Sequence, residues 1–164
     1  MNKAVFLDRD GVINRKGGSY YIWRIEDFIL NEGVIDALKI FQEKGYLLIV
    51  ITNQGGIARG VFSEEDLKRL NEYMIDLLKQ HGIKLSAIYY CPHHPDVSLC
   101  ECRKPGTLLF EKAIKDFDID VKSSCMIGDS EVDIEAAKKM EIKGILIPVN
   151  GNLVDLVVRT GLIS

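Results

Sequence analysis

Five short apolar runs, at residues 4–7, 47–51, 87–90, 125–127 and 144–147, constrain the fold of this chain more than any other feature, because a helical pattern separates each run from the next. The runs are mostly β-branched or aromatic and show no polar alternation, so they read as strands buried on both faces. Between them, residues 34–44 place Val34, Leu38 and Phe41 on one helical face and stop at Gly45, a natural C-cap. Ser63-Glu64-Glu65-Asp66 has the form of a capping box, after which Leu67, Leu70, Met74, Leu77 and Leu78 recur at helical spacing up to Gly82. Leu109, Ala113 and Ile114 mark a third helix after Pro105-Gly106, and Ile134, Ala137 and Met140 a fourth. This alternation predicts an α/β fold, a doubly wound and mostly parallel sheet flanked by helices. Such sheets bind ligands at the carboxyl ends of the strands, near a switch in strand order.

The 164 residues are the length of one domain, and no repeat or linker interrupts them, so residues 1–164 are expected to form a single domain. A content of 47% hydrophobic and 27% charged residues excludes a largely disordered chain. The net charge of -3, with no basic run longer than two residues, argues against a nucleic-acid or anionic-membrane surface and for a small-molecule partner. The longest strongly apolar stretch, residues 46–51, is too short to span a bilayer, and residues 1–7 lack the pattern of a secretory signal. A cytoplasmic location is expected, where four cysteines are thiols or metal ligands rather than disulfides.

The polar residues that follow the strands carry the chemistry. Asp8-Arg9-Asp10-Gly11 closes the first strand with two carboxylates two residues apart, one able to act as a nucleophile and the other as a proton carrier. Taken alone, the pattern also fits an acidic loop or a plain divalent-metal contact. Thr52-Asn53-Gln54-Gly55-Gly56 follows the second strand, Lys104 lies between the third strand and its helix, and residues 128–133, Gly-Asp-Ser-Glu-Val-Asp, follow the fourth. A parallel sheet brings all of these to one edge. An acid pair, a hydroxyl with backbone amides, a cation and further acids are the groups that phosphoryl transfer to a carboxylate requires. Separately, Cys91-Pro92-His93 and Cys100-Glu101-Cys102 offer Cys91, His93, Cys100 and Cys102 as four ligands suited to tetrahedral Zn²⁺, with six residues between the pairs. The alternative is a loop of reduced thiols. Cys125, inside a strand, reads as a small buried residue.

The strand-end segments resemble the four signatures of the haloacid dehalogenase superfamily of phosphatases, in matching order along nearly the whole chain. The resemblance implies that Asp8 attacks phosphorus to form an aspartyl-phosphate, while Asp10 protonates the leaving group and then activates water. Mg²⁺ would be held by the carboxylates of Asp8 and Asp129 and by the backbone carbonyl of Asp10. Lys104 and Thr52 would hold phosphoryl oxygens, and Asn53 and Gln54 would contact substrate. Asp133 either braces the metal site or caps the fourth helix. The Cys/His cluster, with residues 52–60, is similar to the heptose-bisphosphate and histidinol-phosphate phosphatase branch, and residues 56–60 and 89–95 resemble its heptose members. This implies hydrolysis of the C7 phosphate of a heptose 1,7-bisphosphate by a monomer without a cap domain, in nucleotide-activated heptose biosynthesis, with Arg103 either on the distal phosphate or paired with Glu101. Two features depart from the heptose pattern: the zinc loop is short, and Ser130 stands where some members carry a lysine. Histidinol phosphate is therefore the alternative substrate. A polynucleotide phosphatase is disfavoured by the acidic balance, and a non-catalytic zinc-loop interaction module would have no use for the catalytic set. Residues 17–23, with two glycines and three aromatics, would either cover a sugar ring or pack beneath the loop.

Overall fold

The computed structural model describes residues 1–18 and 20–162; Ser19, within the expected aromatic loop, and Ile163 and Ser164 lie outside the described residues. Five strands and five helices alternate: β1 (Ala4–Leu7), α1 (Val34–Glu43), β2 (Leu47–Asn53), α2 (Glu64–Gln80), β3 (Ala87–Cys91), α3 (Leu108–Phe117), β4 (Cys125–Gly128), α4 (Glu131–Lys139), β5 (Lys143–Leu146) and α5 (Leu153–Arg159). Short 3-10 turns occupy Ile25–Asp27 and Val121–Ser123. The strands form one sheet in the order β3-β2-β1-β4-β5, and every pairing is parallel.

The register explains why the runs are apolar without alternation. Val5 aligns with Leu48 on one side and Cys125 on the other, and Leu7 with Val50 and Ile127. Val5, Leu7, Leu48, Val50 and Ile127 face a core shared with α1, α2 and α5, while Ala4, Phe6, Ile49, Ile51 and Met126 face a second core under α3 and α4. Both faces are covered, so both parities must be hydrophobic.

The expected strands and four helices are present with ends shifted by a few residues at most. Ser63 forms the anticipated capping box with Asp66. The fifth helix, α5, was not expected from the sequence. Its seven residues are too few for a clear period, yet Asn152 caps it through the Asp155 amide, and Leu153, Leu156 and Val157 are buried in the core shared with α1. Among the described residues, no helix is long and apolar enough to cross a membrane.

Successive strands run from the central β1 outward through β2 to β3, whereas β4 and β5 lie on the other side of β1. The strand order therefore reverses between β1 and β4. The crevice outside their carboxyl ends is where a doubly wound sheet binds its ligand, and Asp8 and Asp129 sit there, each immediately after its strand.

Candidate active site

Residues 9–14 fold into a tight turn in which the Arg9 carbonyl accepts the amides of Val12, Ile13 and Asn14 at 3.2, 2.8 and 3.2 Å. Gly11, at φ 90°, makes this turn possible, and a Cβ there would collide with the Asp129 carboxylate. Only glycine lets the end of β1 press against the end of β4. The turn presents the Asp10 side chain to the cleft, held by three neighbours. Its Oδ1 accepts from Arg9 Nε at 3.1 Å, Arg9 Nη2 at 2.8 Å and Asn14 Nδ2 at 3.0 Å, and its Oδ2 accepts from Gln54 Nε2 at 3.1 Å.

Lys104 reaches this point from beyond β3. It is buried, and its ammonium donates to Asp8 Oδ1 at 3.0 Å, Asp133 Oδ1 at 2.6 Å and the Ile51 carbonyl at 2.6 Å. The Asn53 side chain clamps the Lys104 backbone, its Oδ1 accepting from the amide at 2.9 Å and its Nδ2 donating to the carbonyl at 3.2 Å. Burial pulls the Lys104 ammonium toward neutrality, but the charges of Asp8 and Asp133 outweigh it and lift the pKa above the ordinary lysine range. Of the two roles left open by its sequence position, Asp133 shows the helix cap, its Oδ2 accepting the Ser130 amide at 3.2 Å, while its other oxygen pairs with Lys104.

Carboxylate oxygens of Asp8, Asp129 and Asp133 lie within 4.8 Å of one another. Three buried acids around one lysine leave excess negative charge, and the Asp8 pKa shows it. Burial pushes this carboxyl up, Lys104 opposes, and Asp133, Asp129 and Asp10 push further, giving about 7. The Asp129 carboxyl is also raised, chiefly by burial, with the Lys16 ammonium 3.8 Å away pulling the other way. Both Asp129 side-chain oxygens are buried without a hydrogen-bond partner among the described residues. Unpartnered hard oxygen donors beside surplus charge suit a divalent cation such as Mg²⁺. Arg9, Asn14 and Gln54 hold the Asp10 carboxylate, which is not among the three converging acids, so its backbone carbonyl is the group it could offer a metal there.

The Cys/His residues gather as their spacing predicts. Cys91 Sγ lies 2.9 Å from Cys102 Sγ, 3.5 Å from Cys100 Sγ and 3.5 Å from His93 Nδ1, and His93 Nδ1 lies 3.2 Å from Cys102 Sγ. Four soft donors converging in this way could hold a metal ion. Cys125 stays apart in β4, its thiol pushed up to about 12 by burial.

The Cys/His loop docks on Gly55, where a Cβ would come within 2.9 Å of the His94 ring and 3.0 Å of Arg103 Nη1. That docking brings His94 and Arg103 to the rim of an open cleft of about 300 Å³, with Asp8, Lys104, Asp129 and Asp133 at its floor. Lys16, Tyr20 and Tyr21 line the other side. Arg103 also donates to the His93 carbonyl at 3.2 Å. His94 is not one of the four converging donors; it lines the cleft, and its Nδ1 accepts the Asp96 amide at 3.1 Å.

Thr52 and Gln54 are both buried. The Gln54 amide donates to Thr52 Oγ1 at 3.0 Å as well as to Asp10, so it ties Thr52, which lies behind the cleft lining, to Asp10, which belongs to it. The aromatic segment divides its work: Trp23 stacks on Phe62 with ring planes 9° apart, Tyr20 lines the cleft, and Tyr21 does both, lining the cleft while its ring edge packs on Phe62. Sequence reading assigned no role to Arg9, Asn14 or Lys16. A charged or amide side chain gives no sign in sequence that it will be buried or turned into a cleft.

A carboxylate just after the first strand, a second acid two residues on, a buried lysine and a cluster of three acids at the switch point of a parallel sheet define a phosphatase of the haloacid dehalogenase (HAD) type. Comparison with known proteins agrees. A HAD-hydrolase-like family profile matches residues 101–153. The D-glycero-beta-D-manno-heptose-1,7-bisphosphate 7-phosphatase of Haemophilus ducreyi is 48% identical over 147 residues, covering 86% of this chain and 80% of that protein. The D-glycero-alpha-D-manno-heptose-1,7-bisphosphate 7-phosphatase of Campylobacter jejuni is 44% identical, covering 90% and 83%. The crystal structure of the D,D-heptose 1,7-bisphosphate phosphatase of B. bronchiseptica, complexed with magnesium and phosphate, superposes with a TM-score of 0.84 at 30% identity, covering 96% of this chain and 86% of that one. The chain belongs to the HAD phosphatases, in the D-glycero-D-manno-heptose-1,7-bisphosphate 7-phosphatase family.

The raised Asp8 pKa makes a prediction about metal and pH. The folded chain holds a proton on Asp8 up to about pH 7, whereas an unfolded carboxyl releases it near 3.8, so in metal-free protein this group's contribution to stability falls as pH rises between those values. A divalent cation takes the deprotonated carboxylate. The rise in Tm on adding Mg²⁺ to EDTA-treated protein should therefore be larger at pH 8 than at pH 5.5. Equal shifts at the two pH values would contradict a metal site built on Asp8.

Proposed function

We propose that this chain is a cytoplasmic, monomeric, single-domain enzyme that removes the C7 phosphate of D-glycero-D-manno-heptose 1,7-bisphosphate, supplying nucleotide-activated heptose biosynthesis. The observation that carries this reading is one cleft holding Asp8, Lys104 and the unpartnered Asp129 at its floor and Arg103 at its rim. The floor suits one phosphate and the rim cation a second. The names of the relatives point to the same substrate.

In this reading an Asp8 oxygen attacks the C7 phosphorus in line. The bond from phosphorus to the sugar oxygen breaks, and Asp10 gives that oxygen its proton. Water then attacks the phosphorus of the aspartyl-phosphate, Asp10 takes the proton back, and inorganic phosphate leaves with Asp8 restored. Splitting the displacement replaces one difficult step by two easier ones. Lys104 donates to the phosphoryl oxygens as charge redistributes, with Thr52 beside it. Asn53 holds Lys104 in place, and Gln54 holds Asp10 and Thr52. Mg²⁺, held by Asp8, Asp129 and the Asp10 carbonyl, would relieve the repulsion between an anionic nucleophile and an anionic substrate. Zn²⁺ in the Cys91, His93, Cys100 and Cys102 cluster would be structural, fixing the loop that carries Arg103 and Lys104.

Histidinol phosphate is the second reading, favoured by the short segment between the Cys/His pairs. The two are separated by kinetics. kcat/KM should be higher for the heptose bisphosphate than for histidinol phosphate, and Arg103→Ala should remove most of that preference. Loss of one charge-assisted contact costs about 1.5–3 kcal/mol, a roughly tenfold to hundredfold fall. Histidinol phosphate has no second phosphate, so its turnover should fall less. A wild type that prefers histidinol phosphate would overturn the heptose assignment.

Elemental analysis of purified protein should give about one zinc per chain. Cys100→Ser should lower zinc content, Tm and activity together. A zinc-free wild type with full stability and activity would contradict the structural role.

A further inference from the structure

The Asp8-Arg9-Asp10-Gly11 segment reads as an acid pair in sequence, yet its most deeply buried side chain is the arginine between the two acids. Arg9 has no solvent exposure. Burying a guanidinium costs several kcal/mol unless the charge is paired. Its ion-pair partner among the described residues is Asp10, at 2.8 Å, and its third nitrogen, Nη1, has no hydrogen-bond partner there. Nη2 makes a second bond, to the Ile22 carbonyl at 2.7 Å. One nitrogen thus joins the proton carrier to residues 20–22, which line the cleft.

The distribution of donors on Asp10 gives this link a chemical meaning. Oδ1 accepts from Arg9 Nε, Arg9 Nη2 and Asn14 Nδ2, which leaves it no lone pair for a transferable proton. Oδ2 accepts only from Gln54 Nε2 among the described residues, and so retains a free lone pair. Arg9 therefore determines which oxygen is fixed and which is presented.

We infer that Arg9 is a positioning residue for proton transfer at Asp10 Oδ2, and that through the Ile22 carbonyl it couples the placement of this acid to the aromatic segment over the cleft. The inference rests on the proposed role of Asp10 as the acid. It makes residues 20–22 and Asp10 one mechanical unit, in which a substrate that moves the segment also sets the acid.

The test uses phosphate monoesters of graded leaving-group acidity, from p-nitrophenyl phosphate, whose alcohol departs without help, to a sugar phosphate, whose alkoxide must be protonated. A positioned general acid contributes roughly 10²–10⁴-fold. Arg9→Lys keeps the charge but lacks the planar fork that grips Asp10 through Nε and Nη2 together. It should lower kcat/KM for the sugar phosphate about ten- to a hundredfold more than for the aryl ester. A parallel loss on both substrates would mean that Arg9 merely supports the fold, and would overturn the inference. Asp10→Asn is measured alongside. If Asp10→Asn also shows a parallel loss, the acid role itself fails; if it is selective while Arg9→Lys is not, only the Arg9 inference fails.

A second measurement leaves Arg9 unchanged. Trp23, the single tryptophan, adjoins Ile22, so its fluorescence reports on the segment. Asp10→Ala removes the acid that anchors Arg9 and should raise the acrylamide quenching constant of Trp23 at least twofold. An unchanged quenching constant would overturn the coupling.

Discussion

The Lys104 ammonium bonds Asp8 at the end of β1, the Ile51 carbonyl in β2 and Asp133 at the start of α4, so one buried cation ties together three elements around the crevice. The strand order makes this meeting possible, because the reversal between β1 and β4 leaves a gap at their carboxyl ends that no crossover helix fills. Remove the cation, and Asp8, Asp129 and Asp133 repel one another in a setting of low dielectric. Even with it, burial pushes Asp8 to about 7 and Asp129 upward as well, and the neighbouring Asp133 carboxylate adds to both shifts. Such a cluster of carboxylates suits a cation and, through it, the anionic substrate proposed above.

Position, rather than composition, sets what each acid does. Asp8 faces Lys104 and the cleft, Asp133 is held by Lys104 and the Ser130 amide, and Asp10 is gripped by Arg9, Asn14 and Gln54. Asp129 is buried without a hydrogen-bond partner among the described residues. Four aspartates thus occupy four environments, which support the proposed roles of nucleophile for Asp8, proton carrier for Asp10 and metal ligand for Asp129, with Asp133 bracing Lys104. The Cys/His loop supplies the lysine that organises them, and its approach depends on the missing side chain at Gly55.

Most of this architecture is legible in the sequence because the signals are local. Apolar runs buried on both faces, a serine cap with an acid three residues on, and polar clusters after each strand all follow from neighbouring residues. What stays hidden depends on contacts far along the chain. Residues 153–159 have too few turns to show a period, and only the core beside α1 selects them as a helix. Arg9 reads as one more charged residue until the turn closes over it. Gln54, expected against substrate, directs its amide to Asp10 and Thr52, a pairing across 44 residues that no spacing rule supplies. Asp133 kept two readings open in sequence; the structure shows the helix cap, and adds an ion pair with Lys104, 29 residues away, that neither reading supplied.

The central claim is that Asp8 takes the phosphoryl group covalently before water does. The stereochemistry at phosphorus tests it most directly, using a phosphorothioate analogue of the substrate made chiral with oxygen isotopes and turnover in water carrying the third isotope, so that the released thiophosphate is itself chiral. Two successive in-line displacements, first by Asp8 and then by water, predict net retention of configuration. Net inversion would show a single direct attack by water and would contradict the account.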